Sequence, residues 1–457
     1  MSAPLQSPSP AEAEANQAFA MANQAWQANR PDIAEQAFAR AALLAPMWSA
    51  AHANLGAALR RQGKPEAAVP CYRRALALEP DQPSVLSNLG NALRDLGRLA
   101  EAETALRRAV EIDPGNAGYR YNLALLLRDR RHHDDAGALL ETLVAADPAN
   151  PEYAWDMALT RLYQGDYLRG FAGYEARLDL ARNPRRDIAG PRWDGGDPSG
   201  KRILVTSEQG FGDALQFARY IPLLASRGAA IVLECLPELT DLFAPLPGVI
   251  AVTQKGAPPP PYDCWVPMAS LAHLFATTLA TIPDVVPYLP APKRPNLVVA
   301  RPAGTRLAVG LIWAGKTTPR DRSWPLERLL PLMHDPAVSF LSLQLGPRGD
   351  DLRRLGVERL VRDAAPALGS FADTAAVMAQ LDLVITVDTS AAHLAGALGR
   401  PVWVLLRYVS DWRWRDQPAN CPWYPTMRLF RQPTPDDFDS PVAEMAAALF
   451  SLVRKGH

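Results

Sequence analysis

LDLVITVDTSAAHLAGALGRPVWVLL, residues 381–406, decides the fold class of the larger part of this chain. Leu383 to Val387 (LVITV) is a short, mostly apolar run rich in β-branched residues, the pattern of a strand buried on both faces. Ala391 to Leu398 then supplies small and apolar residues suited to a helix lying close on a sheet, and Val402 to Leu406 is a second buried run. A strand, a helix and a strand in this order predict α/β architecture with a parallel sheet covered on both faces. Working outward, strands are expected at 307–313 and 338–345, with helices at 325–334 and 374–380. Further upstream the same alternation appears, with strands at 202–207, 230–235, 249–252 and 264–266 and a helix at 215–224. A Pro-rich connection at 283–302 divides the series into two Rossmann-like domains, 200–290 and 303–457. Ligands of such sheets sit beyond the carboxyl ends of the strands, so the loops that follow strands hold the candidate chemistry.

The first third of the chain differs. Pro46, Pro80, Pro114 and Pro148 recur every 34 residues. The positions between them keep register: Leu55, Gly56, Leu59, Gly63, Ala68, Tyr72 and Ala75 reappear as Leu89, Gly90, Leu93, Gly97, Ala102, Leu106 and Ala109. Leucines four apart share a helix face, and Gly and Ala in the remaining slots let two antiparallel helices approach closely. A repeat of this size cannot bury its apolar face alone, so the copies stack into an α-helical solenoid. The solenoid is expected over 15–182, as four repeats and a decayed fifth, after a disordered 1–14. Its concave face suits a protein partner, and a plain spacer is the alternative.

Lys plus Arg and Asp plus Glu are balanced at 48 each, so no net charge favours a polyanion and no nucleic-acid partner is expected. Six of the cations are Lys and 42 are Arg. The four cysteines are far apart, without the spacing of a zinc site or a disulfide framework. No apolar stretch reaches the length of a membrane span and no signal-peptide pattern opens the chain, which reads as soluble and cytoplasmic.

Three loops stand out. Ser207-Glu208-Gln209-Gly210-Phe211-Gly212-Asp213 follows the first strand; Gly210 and Gly212 let backbone approach a ligand, and Asp213 at a helix start either serves that ligand or merely caps the helix. After the strand at 307–313 come Lys316, Arg320 and Arg322, cations fit for a diphosphate or for an exposed polar loop. Asp388, Thr389, Ser390 and His393 follow the strand at 383–387, where a helix start offers free N–H groups to an anion; an N-cap with an incidental histidine is the structural alternative. No paired carboxylates of the Asp-x-Asp kind stand at these strand ends, so no catalytic metal is demanded.

The segments EQGFGDALQFARYIPLLASRGA, VGLIWAGKTTPRDRSWPL, FLSLQLG, LDLVITVDTSAAHLAGALGRPVWVLL and DWRWR…PWYPTMRLFRQ, together with the repeats, resemble bacterial tetratricopeptide-linked glycosyltransferases of the family 9, heptosyltransferase-like group. The resemblance implies a GT-B arrangement of two Rossmann-like domains and transfer of a sugar from a nucleotide-sugar donor, as substrate rather than cofactor, to a protein or glycan acceptor. It implies that Asp213 is the general base and that Arg322, with Lys316 nearby, meets the diphosphate. Asp388, Thr389, Ser390 and His393 would contact sugar and diphosphate, and Gln344 the nucleotide. Metal-independent, inverting chemistry is the expected mechanism. An inactive repeat scaffold and a sugar-nucleotide epimerase of the same architecture are the rival readings.

Overall fold

The computed structural model describes residues 9–183, 185–292, 298–318, 321–416 and 419–455, and the chain divides into two compact units between Met157 and Ala158. Helices come in antiparallel pairs from the start: α1 (Pro10–Gln27) and α2 (Pro31–Leu44), α3 (Ser49–Arg61) and α4 (Pro65–Leu78), α5 (Pro83–Asp95) and α6 (Leu99–Ile112), α7 (Ala117–Asp129) and α8 (His133–Ala146). A fifth pair, α9 (Pro151–Gln164) and α10 (Tyr167–Tyr174), contains the division between the units.

The turn inside each pair is set by one residue with positive φ: Asn29, Gly63, Gly97, Arg131 and Gly165, with φ between 58° and 86°, recur at the repeat interval. Gly takes that left-handed conformation without Cβ strain, and Asn tolerates it better than most residues. Alanines and glycines at the crossings are the reason the helices lie close. A Cβ built on Gly90 would fall 2.5 Å from Cγ of Leu106, and one on Gly56 would fall 2.8 Å from the ring of Tyr72.

Two boundaries differ from the sequence reading. The helical region begins at Pro10 rather than 15, because Ser9 and Glu12 close a capping box in which Oγ of Ser9 accepts from the Glu12 amide at 3.2 Å and the Glu12 carboxylate accepts from the Ser9 amide at 2.7 Å. Residues 1–8 of the expected disordered segment lie outside the described residues. The first unit ends at Met157, before the expected 182, since α10 buries Tyr167, Phe171 and Tyr174 within the second unit.

The second unit holds two sheets. The first has parallel strands β1 (Arg202–Thr206), β2 (Ala230–Cys235), β3 (Val249–Gln254) and β4 (Cys264–Pro267) in the order β3-β2-β1-β4. The second has β5 (Leu307–Leu311), β6 (Val338–Ser342), β7 (Val361–Asp363), β8 (Leu383–Val387), β9 (Val402–Leu406), β10 (Asn420–Cys421) and β11 (Tyr424–Arg431) in the order β10-β11-β9-β8-β5-β6-β7. All its pairings are parallel except β10 with β11. The sequential order runs outward from β5 to β7, then restarts at β8 on the other side of β5. The crevice at that reversal, outside the carboxyl ends of β5 and β8, is where such sheets hold ligands.

Prolines explain where helices depart from the sequence reading. The segment expected as one helix over 215–224 is two, Phe211–Phe217 and Tyr220–Ser226, because Pro222 lacks an N–H and sits only in a first turn. The helix expected over 325–334 runs from Leu326 to Leu329 and tightens to a 3-10 turn, Leu330–His334, at Pro331. Among the described residues no helix is long and apolar enough to cross a membrane.

Candidate functional site

Loops following β1, β5, β6, β8 and β9 converge on one cavity of about 570 Å³. Gly210, Gly212, Asp213, Lys316, Arg322, Gln344, Asp388, Thr389, Ser390 and His393 all line it. Arg320, the third cation of its loop, lies outside the described residues.

Asp213 sits at the third position of helix Phe211–Phe217, and its Oδ2 accepts from the Gly210 amide at 3.2 Å. It is therefore a cap, but not only a cap. Its Oδ1 accepts from Nη2 of Arg413 at 2.5 Å, across the cleft from the loop after β9. A carboxylate has about four acceptor positions, so these two contacts leave room for another hydrogen bond. Gly210 has φ −75° and does not use the freedom expected of it. Gly212 is required by close approach, since a Cβ there would lie 3.0 Å from Cδ2 of His393.

The loop after β5 closes on itself: the Trp324 amide donates to the Trp313 carbonyl at 2.7 Å and the Gly315 amide to Oγ of Ser323 at 3.2 Å. Lys316 is exposed at its rim, and Arg322 is half-buried with Nη1 3.6 Å from Oδ1 of Asp388. Burial pushes the Asp388 carboxyl above its ordinary range, and Asp411 adds to that, while Arg322 opposes it. Thr389 is the N-cap of helix Ser390–Ala397, its hydroxyl accepting from the Ala391 amide at 3.3 Å.

For two of these residues the structure adds surroundings that the sequence does not show. His393 is not an incidental histidine: it is 5% exposed, stacks on Trp414 with centroids 5.0 Å apart, and has Nδ1 2.9 Å from the Tyr424 hydroxyl. Burial holds its pKa well below the ordinary value, and Arg413, Arg219 and Arg322 reinforce this. Either neutral tautomer can satisfy the contact with the Tyr424 hydroxyl, and the other ring nitrogen, Nε2, faces Gly212. Gln344 is a brace: its Oε1 accepts from the Trp313 and Ala314 amides at 3.1 and 2.8 Å, and its Nε2 donates to the Leu345 carbonyl at 2.9 Å. That leaves one amide proton for any nucleotide.

Sequence reasoning did not single out Arg413, which lines the same cavity. Its guanidinium, 8% exposed, pairs with Asp213 and with Asp411 at 2.9 Å and donates to Oε1 of Gln216. Burial disfavours its charge, but the two carboxylates more than compensate and hold it cationic. Its one sequence signal is its place between two tryptophans, Trp412 and Trp414, in a loop after a strand. Phe211 and Phe371, with ring centroids 4.8 Å apart, also line the cavity from opposite halves. Among the described residues no group of three or more His, Cys, Asp or Glu side chains could hold a metal ion.

Comparison with known proteins agrees with this layout. Residues 19–68 and 54–117 match one family described as Tetratricopeptide repeat, and residues 93–162 match another of the same description. Residues 362–437, which carry β8, β9 and the loops with Asp388, His393 and Arg413, match Glycosyltransferase family 9 (heptosyltransferase). Protein FlbA of Caulobacter vibrioides (strain ATCC 19089 / CIP 103742 / CB 15) is 30% identical over 291 residues, 57% of this chain and 48% of FlbA, so the chain spans about half the length of this curated relative. Solved structures similar to part of the chain include PilF of Pseudomonas aeruginosa (21% identity, TM-score 0.33), which spans 39% of this chain and 80% of its own. Another is MamA of Desulfovibrio magneticus RS-1 (18% identity, TM-score 0.34), spanning 37% and 96%.

Proposed function

On a chain that carries tetratricopeptide repeats followed by a glycosyltransferase family 9 domain, we propose a transferase that moves a sugar from a nucleotide-sugar donor to an acceptor hydroxyl, without a metal and with inversion. The observation that carries this reading is the single cavity in which Asp213, from the loop after β1, meets Lys316, Arg322, Asp388 and His393, from the loops after β5 and β8. In one displacement the acceptor hydroxyl gives its proton to Asp213 as its oxygen bonds to the anomeric carbon, and the bond to the diphosphate breaks on the opposite face. Lys316 and Arg322 take up the charge that develops on the leaving diphosphate, and His393, in the tautomer with its proton on Nε2, adds a neutral hydrogen bond. Arg413 fixes the direction of the Asp213 carboxylate. The repeats bind the acceptor or a protein partner.

A thermal-shift panel on the full chain tests the donor half of this reading. A nucleoside diphosphate at 100 times its Kd stabilises the folded state by about 2.7 kcal/mol by mass action. Nucleoside diphosphates and nucleotide sugars should raise the melting temperature where inorganic phosphate at equal concentration does not. A panel in which no nucleotide exceeds the phosphate control refutes the proposal.

A further inference from the structure

The fifth helical pair makes contacts that a spacer between two folded parts does not require. Arg177, in the 3-10 turn Glu175–Leu178 that follows α10, is 1% exposed and donates to Oε1 of Glu208 and to Oγ of Ser270, both at 2.7 Å. Burying a guanidinium costs several kcal/mol unless it is paired, so Glu208 is held firmly. Glu208 belongs to the loop that ends on Asp213. In the same loop Oε1 of Gln209 accepts from the Tyr174 hydroxyl at 3.2 Å. The opposite wall of the cleft is held from the same segment. Near the end of α9 the Tyr163 hydroxyl donates to the Ser410 carbonyl at 2.6 Å, in the loop that ends on Arg413. Phe171 of α10 meets Trp412 edge-on with ring centroids 5.7 Å apart. One short stretch of chain thus grips a loop from each sheet, and these loops join in the Asp213–Arg413 ion pair.

We propose that the end of α9 and α10 form a positioning element of the site, in which Tyr163 and Tyr174 set the register between the Asp213 loop and the Arg413 loop. The pair has repeat geometry but serves the cleft. The consequence for catalysis rests on the proposed sugar transfer; the geometric claim does not.

Tyr163→Phe, Tyr174→Phe and the double variant, made in the full chain, test it by hydrogen exchange and kinetics. Each substitution removes one hydroxyl and keeps the ring. Amide exchange over 208–213 should accelerate roughly three- to tenfold in Tyr174→Phe, and over 410–414 likewise in Tyr163→Phe, the effect of losing one net hydrogen bond. Helix Ser390–Ala397 should exchange as in the wild type. With a nucleotide-sugar donor, kcat should fall at least fivefold in the double variant while the donor KM stays within about twofold, a split that a general loss of stability does not produce. Wild-type exchange in both loops overturns the proposal, and so does unchanged kcat in the double variant. If the wild type turns over no nucleotide sugar, the transferase reading fails, and the exchange measurement alone still decides whether the fifth pair positions the loops.

Discussion

Replacing Asp213 by Asn removes a charge from an ion pair and a proton acceptor from the proposed reaction, and a double-variant cycle with Arg413→Met separates the two losses. The Arg413 side chain is 8% exposed and that of Asp213 29%. Breaking a fully buried pair costs about 3–5 kcal/mol, but a carboxylate nearly a third exposed is partly screened, and Arg413 retains Asp411 at 2.9 Å. For Asp213→Asn that leaves the range of one hydrogen bond to a charged group, about 1.5–3 kcal/mol. Arg413→Met takes the guanidinium from two carboxylates that are 29% and 36% exposed and keep backbone N–H partners, so screening brings its cost to the same range, about 1.5–3 kcal/mol. The double variant should be less destabilised than the sum of the two, with a coupling of about 2 kcal/mol. Tryptophan emission during urea unfolding is a suitable probe, because eight of the eleven tryptophans lie beyond residue 157 and Trp412 and Trp414 flank Arg413. Sugar transfer by Asp213→Asn should fall by roughly 10²–10⁴, the usual contribution of a positioned base, while nucleoside diphosphate binding persists. Additive stability costs would refute the cross-cleft pair, and wild-type transfer in Asp213→Asn would refute the base.

Three further outcomes follow from other parts of the structure. Arg322→Ala should weaken nucleoside diphosphate binding by about 1.5–3 kcal/mol, roughly 10- to 150-fold, as measured by calorimetry, with little change in melting temperature because Arg322 is only half-buried. His393, buried with a depressed pKa, binds fewer protons folded than unfolded below about pH 6.5, so it makes stability rise with pH up to that value, by at most about 1.4 kcal/mol per pH unit. His393→Gln should flatten the slope between pH 5 and 6.5 in denaturant titrations; Asp388, held above its range, contributes the opposite sign in both proteins. Gly63→Ala should cost the first unit about 1–2 kcal/mol by circular dichroism melting, since φ is +72° and a Cβ there meets no atom within 4 Å, leaving strain as the whole effect.

What could be read in the chain depended on whether the signal was local. The repeat interval, the buried strands β2, β8 and β9, and the loops that end them are written in contiguous residues, so they and most cavity residues were legible. Three kinds of feature were not. Strand β11, Tyr424–Arg431, opens with Tyr424-Pro425-Thr426 and alternates with charged residues, a pattern that propensity assigns to a loop until the neighbouring β9 supplies its pairing. The states of His393 and Gln344 depend on what surrounds them: in an open cleft the same imidazole would titrate near its ordinary value, whereas burial beside Trp414 and Tyr424, with three arginines nearby, holds it neutral to well below that value. Arg413 escaped notice because its partner Asp213 is 200 positions away in sequence. The tryptophans beside Arg413 mark its segment, but nothing in either neighbourhood names the partner.

The left-handed residues at 29, 63, 97, 131 and 165 mark points where the backbone returns to the same conformation. A chain cut and rejoined between two such points meets itself at equivalent geometry, so a whole period can be added to the helical array, or taken away, without a new junction having to be invented. That freedom ends at the last mark. Gly63 has open space where a side chain would go, whereas a Cβ on Gly165 would stand 2.9 Å from Leu279 and 3.5 Å from the Arg415 guanidinium. Duplication can lengthen this protein upstream of Gly165, but the copy that contains it is fixed in place, and changes of length have to accumulate on its amino-terminal side.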